Sequence, residues 1–531
     1  MRLDGRLCYG MVTMSFPQDK SQGKNRLLAD RILPSLPKHL LRLLAAISRR
    51  RRMPLYFSGG VVRDWLLERR PVDLDITVPA EALAFAKELA AALGAAFVPL
   101  SPAEGVARVV WGDLCLDISQ FREGTTTIEA DLGRRDFSVN ALAVAFDCEG
   151  LSLSDDGLLI DPLGGVADLS AGIVRQTHPL AFAADPLRML RAYRFRAVFD
   201  WEIEAETLVF IARQAALIRR VSGERIAAEF DKIIACGQSY PTIREMAKVG
   251  LLFQIFPELA PGVGLLQPSS HHLDVFDHSL ETLRQIERII LCPEAFFPLL
   301  QAGTEPSPPK GGTEQSPDWR QDILAYLNAP RQTVRLKYAA LLHDLGKTVT
   351  RAEKDGRITF YNHDEAGVVL IEGIAGRLHW SNEDGRRISQ LVKQHMWPFH
   401  LHNARVRSGV TPKAILKLVK ATGDELIGLF FLVMADSLAG QGTGKPQGME
   451  AAVAALFAEV YRTYQDRLKP ILAAPLLTGH DLIETLHLSP GPLFRQILDG
   501  LQEARANEPE MSKPEALAWA RDYVTHHAEK V

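Results

Sequence analysis

The spacing of apolar residues changes character near residue 180. Between about residues 38 and 175, segments with a helical period alternate with short apolar runs typical of strands. The helical segments are Leu40–Arg50, Val61–Glu68 and Ala80–Leu93. The strand-like segments are Pro54–Phe57, Asp73–Val78 and a hairpin of Val106–Trp111 with Leu114–Ser119, and Ser138–Phe146 reads as a helix running into a strand. This alternation predicts an α/β head with a mixed sheet.

From residue 180 onward the helical period dominates, and only Arg357–Tyr361 has the pattern of a strand. The expected fold class is therefore multidomain α+β, with the mixed-sheet head followed by all-helical neck, body and tail domains. The expected boundaries are a disordered extension at 1–30, the head at 31–175, a helical neck at 176–265, a further helical domain at 266–445 and a helical C-terminal region at 446–531. The Pro-, Gly- and Ser-rich stretch 302–318 predicts a disordered insert.

Composition narrows the class of protein without naming a function. The 531 residues are 47% hydrophobic and 24% charged with a formal net charge of −3, which is ordinary for a soluble multidomain protein. No apolar run is long enough to span a membrane, and the N-terminus lacks the pattern of a signal peptide. The five cysteines are scattered without a Cys-x-x-Cys pair, so reduced thiols and a cytoplasmic location are expected.

The first candidate chemistry is a pair of aspartates downstream of a pair of glycines. Asp73 and Asp75 point to the same face of their predicted strand, where two carboxylates can hold Mg²⁺. Gly59 and Gly60 let a backbone turn approach phosphate oxygens at the start of a helix. Taken separately, the glycines are equally well a simple turn and the aspartates a solvated edge. Asp117 adds a third acid in an apolar strand, unless it lies on the outer face of an edge strand.

Two further clusters follow the carboxylates along the chain. The run Arg134-Arg135-Asp136-Phe137-Ser138-Val139-Asn140-Ala141 offers arginines that bind triphosphate in a bidentate manner, and Asp136 and Asn140 also suit a helix cap. Asp185 and Arg188 begin a predicted helix, where the alternatives are again a cap and a solvated charge.

In this order the motifs resemble the class II tRNA nucleotidyltransferase and bacterial poly(A) polymerase family over roughly residues 50 to 235. The resemblance implies that Gly59, Gly60 and Arg63 belong to the first nucleotide-binding motif. It makes Asp73 and Asp75 the metal ligands and Asp117 the third carboxylate. Arg134, Arg135, Asp136 and Asn140 would grip triphosphate and ribose, Asp185 and Arg188 would read the base, and Glu224-Arg225-Ile226 would match the last motif.

The resemblance implies nucleotidyl transfer from CTP and ATP to the 3′ end of tRNA with two Mg²⁺ ions and no nucleic-acid template. The helical region would recognise the shape of the RNA and contact its sugar-phosphate backbone. Arg191, Arg194 and Arg196 are the residues expected to make these RNA contacts. The sequence does not predict an oligomeric state.

Two departures from the family pattern bear on substrate choice. The acid that precedes the base-reading aspartate in the family is Ala184 here, which puts the bracing of the base-reading arm in doubt. Between Phe121-Arg122 and Arg134-Arg135 there are only the residues 123–133, whereas members that add the terminal A usually carry a longer flexible loop. The hypothesis is therefore that this chain adds CC and leaves the A to a separate A-adding enzyme.

A second cluster of candidate metal ligands lies farther along the chain. An adjacent His343-Asp344 is accompanied by outlying His and Asp residues on separate predicted helices: His278, His363, His395 and Asp436. A lone histidine is more often structural, but this combination of N and O ligands suits a divalent transition metal or magnesium.

These residues resemble the HD metal-dependent phosphohydrolase superfamily over about residues 270–440. The resemblance implies His278, His343, Asp344 and Asp436 as ligands of Mn²⁺, Ni²⁺ or Mg²⁺, with His363 and His395 completing a second site. It implies phosphodiesterase or phosphatase activity on RNA ends, and the alternative is a purely structural site.

Three other functions stay open from the sequence. A poly(A) polymerase shares nearly every head motif. A catalytically inactive RNA-binding protein would not need the intact Asp73, Asp75, His343 and Asp344. A third possibility makes the HD site the main activity and the N-terminal half an RNA-positioning module.

Overall fold

The computed structural model describes residues 36–146, 159–298 and 319–528. The predicted extension at 1–30 and the predicted insert at 302–318 lie outside the described residues. The chain divides into two compact units. The first runs up to Ile233 and includes Glu245–Ile255, and the second contains Ile234–Arg244 and everything from Phe256 onward.

The first unit is built on a seven-stranded mixed sheet with the order β3-β4-β5-β2-β1-β6-β7. Strands β2 and β5 are parallel, and the other neighbouring pairs are antiparallel. The strands are β1 (Leu55–Ser58), β2 (Asp73–Val78), β3 (Ala96–Ser101), β4 (Val106–Trp111), β5 (Leu114–Gln120), β6 (Ala143–Phe146) and β7 (Leu159–Ile160). The predicted mixed sheet and the predicted α+β class are confirmed.

The sheet buries one face and leaves the other for polar residues. Leu74, Ile76, Leu116 and Ile118 are at most 4% exposed, and they alternate along β2 and β5 with the aspartates. An amphipathic helix, Ala82–Leu93, packs on β4 and β5 and buries Phe85 and Leu89. This two-residue alternation turns Asp73, Asp75 and Asp117 toward the opposite face.

Most helices of the first unit come after β7, the last strand of the sheet, in the sequence. They are α1 (Lys38–Arg51), α2 (Gly60–Leu66), α3 (Ala82–Leu93), α4 (Ile128–Leu132), α5 (Gly165–Ala171), α6 (Ala181–Ala184), α7 (Leu187–Phe199), α8 (Ala205–Gln214), α9 (Gly223–Ile234), α10 (Tyr240–Lys248) and α11 (Leu251–Ile255), of which α9 and α10 run across the division between the units. Two short parallel strands, β8 (Ile173–Val174) and β9 (Glu202–Ile203), form a separate ladder that the sequence pattern did not predict.

The second unit is almost entirely helical. Its helices are α12 (Val275–Leu291), α13 (Trp319–Asn328), α14 (Gln332–Leu342), α15 (Lys347–Thr350), α16 (His363–Leu378), α17 (Asn382–Gln394), α18 (Trp397–Ser408), α19 (Pro412–Thr422), α20 (Leu426–Ala439), α21 (Met449–Thr463), α22 (Lys469–Ala473), α23 (Gly479–Leu486), α24 (Pro492–Asn507) and α25 (Lys513–Ala528). The predicted strand at Arg357–Tyr361 is observed as β11 (Arg357–Thr359), which pairs with β10 (Ala352–Lys354).

Two helices form the centre of this unit because they are buried on nearly every side. Every residue of α14 except Thr333 and every residue of α20 except Leu438 is buried, and α12 packs against both. The C-terminal helices α23 to α25 have a small core of their own around Leu482, Ile497 and Leu501. Over the described part of the chain, every helix is too short or too polar to cross a lipid bilayer.

Candidate functional sites

The first site is a row of carboxylates on the open face of the sheet. The parallel register of β2 and β5 sets Asp75 opposite Asp117, and Asp73 lies two residues before Asp75 on the same face. Burial and the charges of Asp117 and Asp73 raise the pKa of Asp75 to about 6, although Arg135 works in the other direction. Carboxylates that repel one another in this way form an oxygen-only donor set, and such a set fits Mg²⁺.

The glycine pair brings the backbone against this row. Gly59 has a φ of +80° and ends β1, so the chain turns sharply into α2. A β-carbon at Gly59 would collide with the guanidinium of Arg135 and would lie 3.4 Å from Oδ2 of Asp75. Glycine is therefore required here by both the backbone conformation and the space.

A cavity of about 520 Å³ joins the carboxylates to the arginines of the head. Its lining consists of the glycine pair, the three carboxylates, four residues that the sequence did not single out, two of the arginines predicted to contact RNA and most of the other predicted nucleotide-binding residues. They are Gly59, Gly60, Arg63, Asp73, Asp75, Val106, Asp117, Ser119, Arg122, Arg135, Asp136, Asn140, Asp185, Arg188, Arg191, Arg194 and Phe195. Its volume is in the range of pockets that bind small ligands.

The arginines around the cavity are fixed by acids and hydroxyls. Arg135 is buried, donates to Ser58 Oγ at 2.6 Å and to Thr77 Oγ1 at 3.1 Å, and has a pKa that burial lowers to about 10. Arg63 donates to Oδ1 of Asn140 at 2.7 Å. A second set joins Asp136 to Arg191 at 2.6 Å. Burial would raise the pKa of Asp136, but Arg191 and Asn140 bring it down to about 2.

Asp185 and Arg188, the pair predicted to read the base, are held in place without an acid at position 184. Arg188 donates to the main-chain oxygen of Arg134 at 3.0 Å and to that of Arg135 at 3.3 Å. Asp185 accepts from the main-chain N–H of Leu187 at 3.2 Å and from Arg225 at 3.3 Å. Main-chain carbonyls and an arginine of the last motif therefore hold both side chains in place.

Two of the predicted residues, Arg134 and Arg196, do not line the cavity. Arg134 is exposed, pairs with Glu123 at 3.3 Å and does not line the cavity. Arg194 lies in the cavity beside Glu229 at 3.3 Å, whereas Arg196 pairs with Glu245 at 2.8 Å. Like Arg191, both arginines of the predicted RNA grip thus have acidic partners, and contact of these three with RNA stays a prediction.

The short connection between Phe121 and Arg134 is tightly held. Asp131 is fully buried and accepts from the main-chain N–H of Arg122 at 2.9 Å and from its guanidinium at 2.9 Å. The same carboxylate lies 3.6 Å from Nε of Arg135. Asp131 therefore ties the connection to two arginines that line the cavity.

Sequence reasoning missed Arg108, which forms a bidentate ion pair with Asp117. The distances are 2.7 and 2.8 Å, and Arg108 also approaches Asp73 at 3.6 Å. The predicted hairpin already contained the information needed to find this pair. Its two-residue turn at Gly112-Asp113 sets Trp111 opposite Leu114, and counting back along both strands sets Arg108 opposite Asp117.

The second site is a buried histidine and aspartate cluster in the second unit. Six residues predicted as metal ligands come together here from separate segments of the chain. They are His278, His343, Asp344, His363, His395 and Asp436. Oδ2 of Asp344 lies 3.5 Å from His278 and 3.3 Å from His343, and its Oδ1 lies 3.5 Å from His363 and 3.8 Å from His395. One carboxylate thus faces two groups of imidazole nitrogens.

Hydrogen bonds orient the ligands for metal binding. The Nδ1 atoms of His343, His363 and His395 face the main-chain oxygens of Ala340, Phe360 and Val392 at 3.0, 2.8 and 2.6 Å. An Nδ1–H that donates to a carbonyl leaves the lone pair of Nε2 directed into the cluster. In the described residues, the buried Nε2 of His343 has no hydrogen-bond partner, which suits a nitrogen that faces an ion.

The pKa shifts of His278, His395 and Asp344 agree with a metal site. Burial lowers the pKa of His278, and burial with His343 and His363 nearby lowers that of His395 to about 4. Burial would raise the pKa of Asp344, but His343 and Lys347 hold it well below its usual range. Neutral imidazoles and ionised carboxylates are the states in which these groups bind divalent metals. His343 differs, because Asp344 and Asp436 raise its pKa to about 10 against the effect of burial, so metal binding at this residue requires the release of a proton.

A cavity of about 580 Å³ opens on the cluster. Lys347 donates to Oδ2 of Asp344 at 2.6 Å and lines this cavity, as do the aromatic residues Phe360, Tyr361 and Phe399. The site therefore combines candidate metal ligands with a cation and aromatic side chains.

Three protein families match parts of the chain. Residues 55–175 match the poly A polymerase head domain, residues 200–262 match the probable RNA and SrmB-binding site of polymerase A, and residues 310–419 match the HD domain. His278 and Asp436 lie outside the matched part of the HD domain.

An A-adding tRNA nucleotidyltransferase of Deinococcus radiodurans is 31% identical over 491 residues, which cover 89% of this chain and 99% of that protein. The chain belongs to the tRNA nucleotidyltransferase family. Another member, a CC-adding tRNA nucleotidyltransferase of Thermus thermophilus, is 30% identical over 87% of this chain and 92% of its own length. A CC-adding tRNA nucleotidyltransferase of Geobacter sulfurreducens is 41% identical over 43% of this chain and 51% of that protein.

Solved structures agree with this tRNA nucleotidyltransferase in fold. A CCA-adding enzyme in complex with ATP has a TM-score of 0.62 at 23% identity and covers 95% of this chain and 96% of its own. The Thermotoga maritima CCA-adding enzyme with tRNA has a TM-score of 0.58 at 24% identity, over 94% and 98% of the two chains. The family and the nucleotidyltransferase activity predicted from the motifs are confirmed.

Proposed function

We propose that this nucleotidyltransferase adds only C residues to the 3′ end of tRNA, from CTP and without a nucleic-acid template, and leaves the terminal A to a separate enzyme. The observation that supports the proposal is the short connection between Phe121 and Arg134. Relatives with CC-adding and with A-adding names match most of the chain, so overall identity does not decide between the two specificities.

The connection supports CC addition because it is both short and fixed. A change of base specificity from C to A needs a pocket that rearranges, and Asp131 ties this segment to Arg122 and Arg135 in the cavity wall. A pocket fixed in this way suits one base.

The same cavity offers groups for reading that base. The carboxylate of Asp185 accepts hydrogen bonds, and the guanidinium of Arg188 donates them, so the pair matches a base edge that presents an amino group beside acceptors. Cytosine presents such an edge. The protein pair thereby replaces a template strand.

Asp73 and Asp75 would hold two Mg²⁺ ions, which supply charge stabilisation for the triphosphate and lower the pKa of the attacking 3′-hydroxyl when bound. Arg63, Arg135 and Asn140 would bind the triphosphate and ribose. Asp117 stands beside Asp75 as the third carboxylate of the row. The free cysteines Cys115, Cys236 and Cys292 suit a reducing compartment, so we place the reaction in the cytoplasm.

The test supplies three tRNAs, lacking CCA, ending in C or ending in CC, with CTP and ATP in separate reactions. We expect C addition to the first two and no efficient addition of A to the third. Efficient A addition would overturn the CC-only proposal, and repeated A addition to any RNA would favour a poly(A) polymerase. The Asp73→Ala/Asp75→Ala variant should lose all incorporation; incorporation by it would contradict the whole assignment.

A second activity is favoured by the geometry around Asp344. We infer that the HD cluster is a metal-dependent phosphohydrolase for RNA ends, because one bridging carboxylate between two imidazole groups is the arrangement of a two-metal site. The test is cleavage of 2′,3′-cyclic nucleotides with added Ni²⁺ or Mn²⁺, with Asp344→Asn as the control variant. No turnover with any metal would leave a structural site.

A further inference from the structure

Arg108 stands in the carboxylate row of the head, and no motif of the family assigns it a part. It lies on β4 directly opposite Asp117 on β5, which in turn lies opposite Asp75 on β2. These three residues therefore cross adjacent strands on the same face of the sheet. Arg108 is the cation nearest to Asp117 and reaches toward Asp73 as well.

The contacts of Arg108 occupy both oxygens of Asp117. Nε meets Oδ1 at 2.7 Å and Nη2 meets Oδ2 at 2.8 Å, while Nη2 lies 3.6 Å from Oδ2 of Asp73. A planar guanidinium in this fork geometry fixes the plane of the carboxylate, which an ammonium does not do. In this arrangement both carboxylate oxygens of Asp117 accept hydrogen bonds from Arg108 and are not directed at a metal ion.

We propose that Arg108 is a positioning residue of nucleotidyl transfer, which fixes Asp117 beside Asp75 and partly neutralises the carboxylate row, so that Asp73 and Asp75 bind divalent cations less tightly but in the productive geometry. This inference rests on the proposed metal site of the head. Its consequence is unusual for a residue near a metal site: loss of Arg108 should improve metal binding while it harms turnover.

The physical reason is a balance of charge. Three carboxylates lie side by side on this face of the sheet, and Arg108 places one positive charge within ion-pair distance of two of them. Removing that charge strengthens the attraction between the row and a divalent ion. It also frees the carboxylate of Asp117, which would then compete with Asp73 and Asp75 for the cation that they would hold.

The experiment compares full-length Arg108→Gln and Arg108→Met, which are neutral, with Arg108→Lys, which keeps the charge but loses the fork. Mn²⁺ binding is measured by electron paramagnetic resonance, and the Asp73→Ala/Asp75→Ala variant supplies the contribution of the HD site. We expect about threefold or more tighter Mn²⁺ binding by the neutral variants and little change for lysine. At saturating Mg²⁺, C incorporation should fall about tenfold or more in the neutral variants and less in the lysine variant.

The control is Arg50→Gln, at an exposed ion pair on α1, which should change neither quantity. Unchanged or weaker Mn²⁺ binding in both neutral variants would overturn the proposal, since a merely structural arginine predicts that result. Failure of one neutral variant to fold leaves the other as the test. If the Asp73→Ala/Asp75→Ala variant binds as much Mn²⁺ as the native protein, the proposed metal site of the head is wrong. If that variant binds less Mn²⁺ but the neutral Arg108 variants do not bind it more tightly, the metal site stands and only the proposed role of Arg108 is wrong.

Discussion

At Gly59 the backbone has a φ of +80°, and the guanidinium of Arg135 occupies the space that a β-carbon would need. We therefore expect Gly59→Ala to lower the free energy of unfolding by about 2 kcal/mol or more and to reduce C incorporation at least about tenfold, because Arg135 must move away from Asp75. Thermal unfolding and incorporation from CTP measure the two effects.

The matched control for this prediction is Gly94→Ala. Gly94 also has a positive φ, of +64°, but nothing lies within 4 Å of the β-carbon it would gain. That variant should lose only the cost of the left-handed backbone, about 1 kcal/mol, and keep its activity. Equal losses of activity in the two variants would contradict the close-approach argument.

The second prediction concerns Arg225, which contacts Asp185. The family has an additional acid directly before this aspartate, where this chain has Ala184. Arg225→Ala should raise the KM for CTP about threefold to tenfold with little change in kcat, because it removes a contact that holds the base-reading carboxylate before and during the reaction. The pair is exposed, so stability should change by less than about 1 kcal/mol. An unchanged KM, or the same rise in the exposed control Arg219→Ala, would show that Arg225 is not the brace.

The carboxylate face was predictable because the two-residue period of a strand fixes which side chains share a face, and Asp73 and Asp75 follow that period. The partners of these residues were not, because they come from other strands and helices. Arg63 meets Asn140 across 77 residues of sequence, and Arg191 meets Asp136 from α7. Such contacts depend on how the elements pack against one another, and the local pattern of a single sequence does not give that packing.

At the scale of elements, strands inside the sheet were easier to predict than the edge strands β3 and β7, neither of which was predicted. β2 was predicted with its observed bounds, whereas β3 was missed. β3 contains Pro99, is mostly exposed and has an irregular register between Pro99 and Ser101. Proline is confined to edges and bulges, and an exposed edge lacks the apolar alternation by which strands are recognised.

Helix α17 is anchored to α14 by a buried ion pair that gives a pH-dependent prediction. Asp384 accepts from Arg335 at 2.6 Å and from Arg331 at 3.0 Å. Burial would raise the pKa of Asp384, but Arg335, Ser381 and Arg331 lower it. A carboxyl with a lowered pKa in the folded state stabilises the protein above its unfolded pKa of about 4, and this contribution is lost as the pH falls through the folded value.

We therefore expect Asp384→Asn to lower the free energy of unfolding by about 3 kcal/mol at pH 7, and the difference from the native protein to shrink below about pH 4. Unfolding followed by circular dichroism at several pH values measures this. Asp499→Asn, at the exposed pair with Lys420, should cost less than about 1 kcal/mol at every pH. A difference for Asp384→Asn that does not depend on pH would contradict the ionic explanation.

For the whole molecule, the histidine cluster shows what motif spacing predicts and what it omits. The six ligands were predicted from their residue types, and the structure brings them together from α12, α16, α20 and the ends of α14 and α17. The bridging position of Asp344, with one oxygen toward each imidazole group, depends on the tertiary packing of those helices. The two candidate sites thus lie in different compact units and have different donor atoms.

This separation predicts that the two activities can be removed one at a time. Asp344→Asn should abolish hydrolysis and leave C incorporation within about twofold, and Asp73→Ala/Asp75→Ala should do the reverse, because neither variant changes the donor set of the other site. After chelation, Mg²⁺ should restore incorporation at the oxygen-only head site, whereas Ni²⁺ or Mn²⁺ should be needed at the cluster that contains imidazole. The same metal order for both reactions, or loss of both activities in either variant, would mean that one site depends on the other.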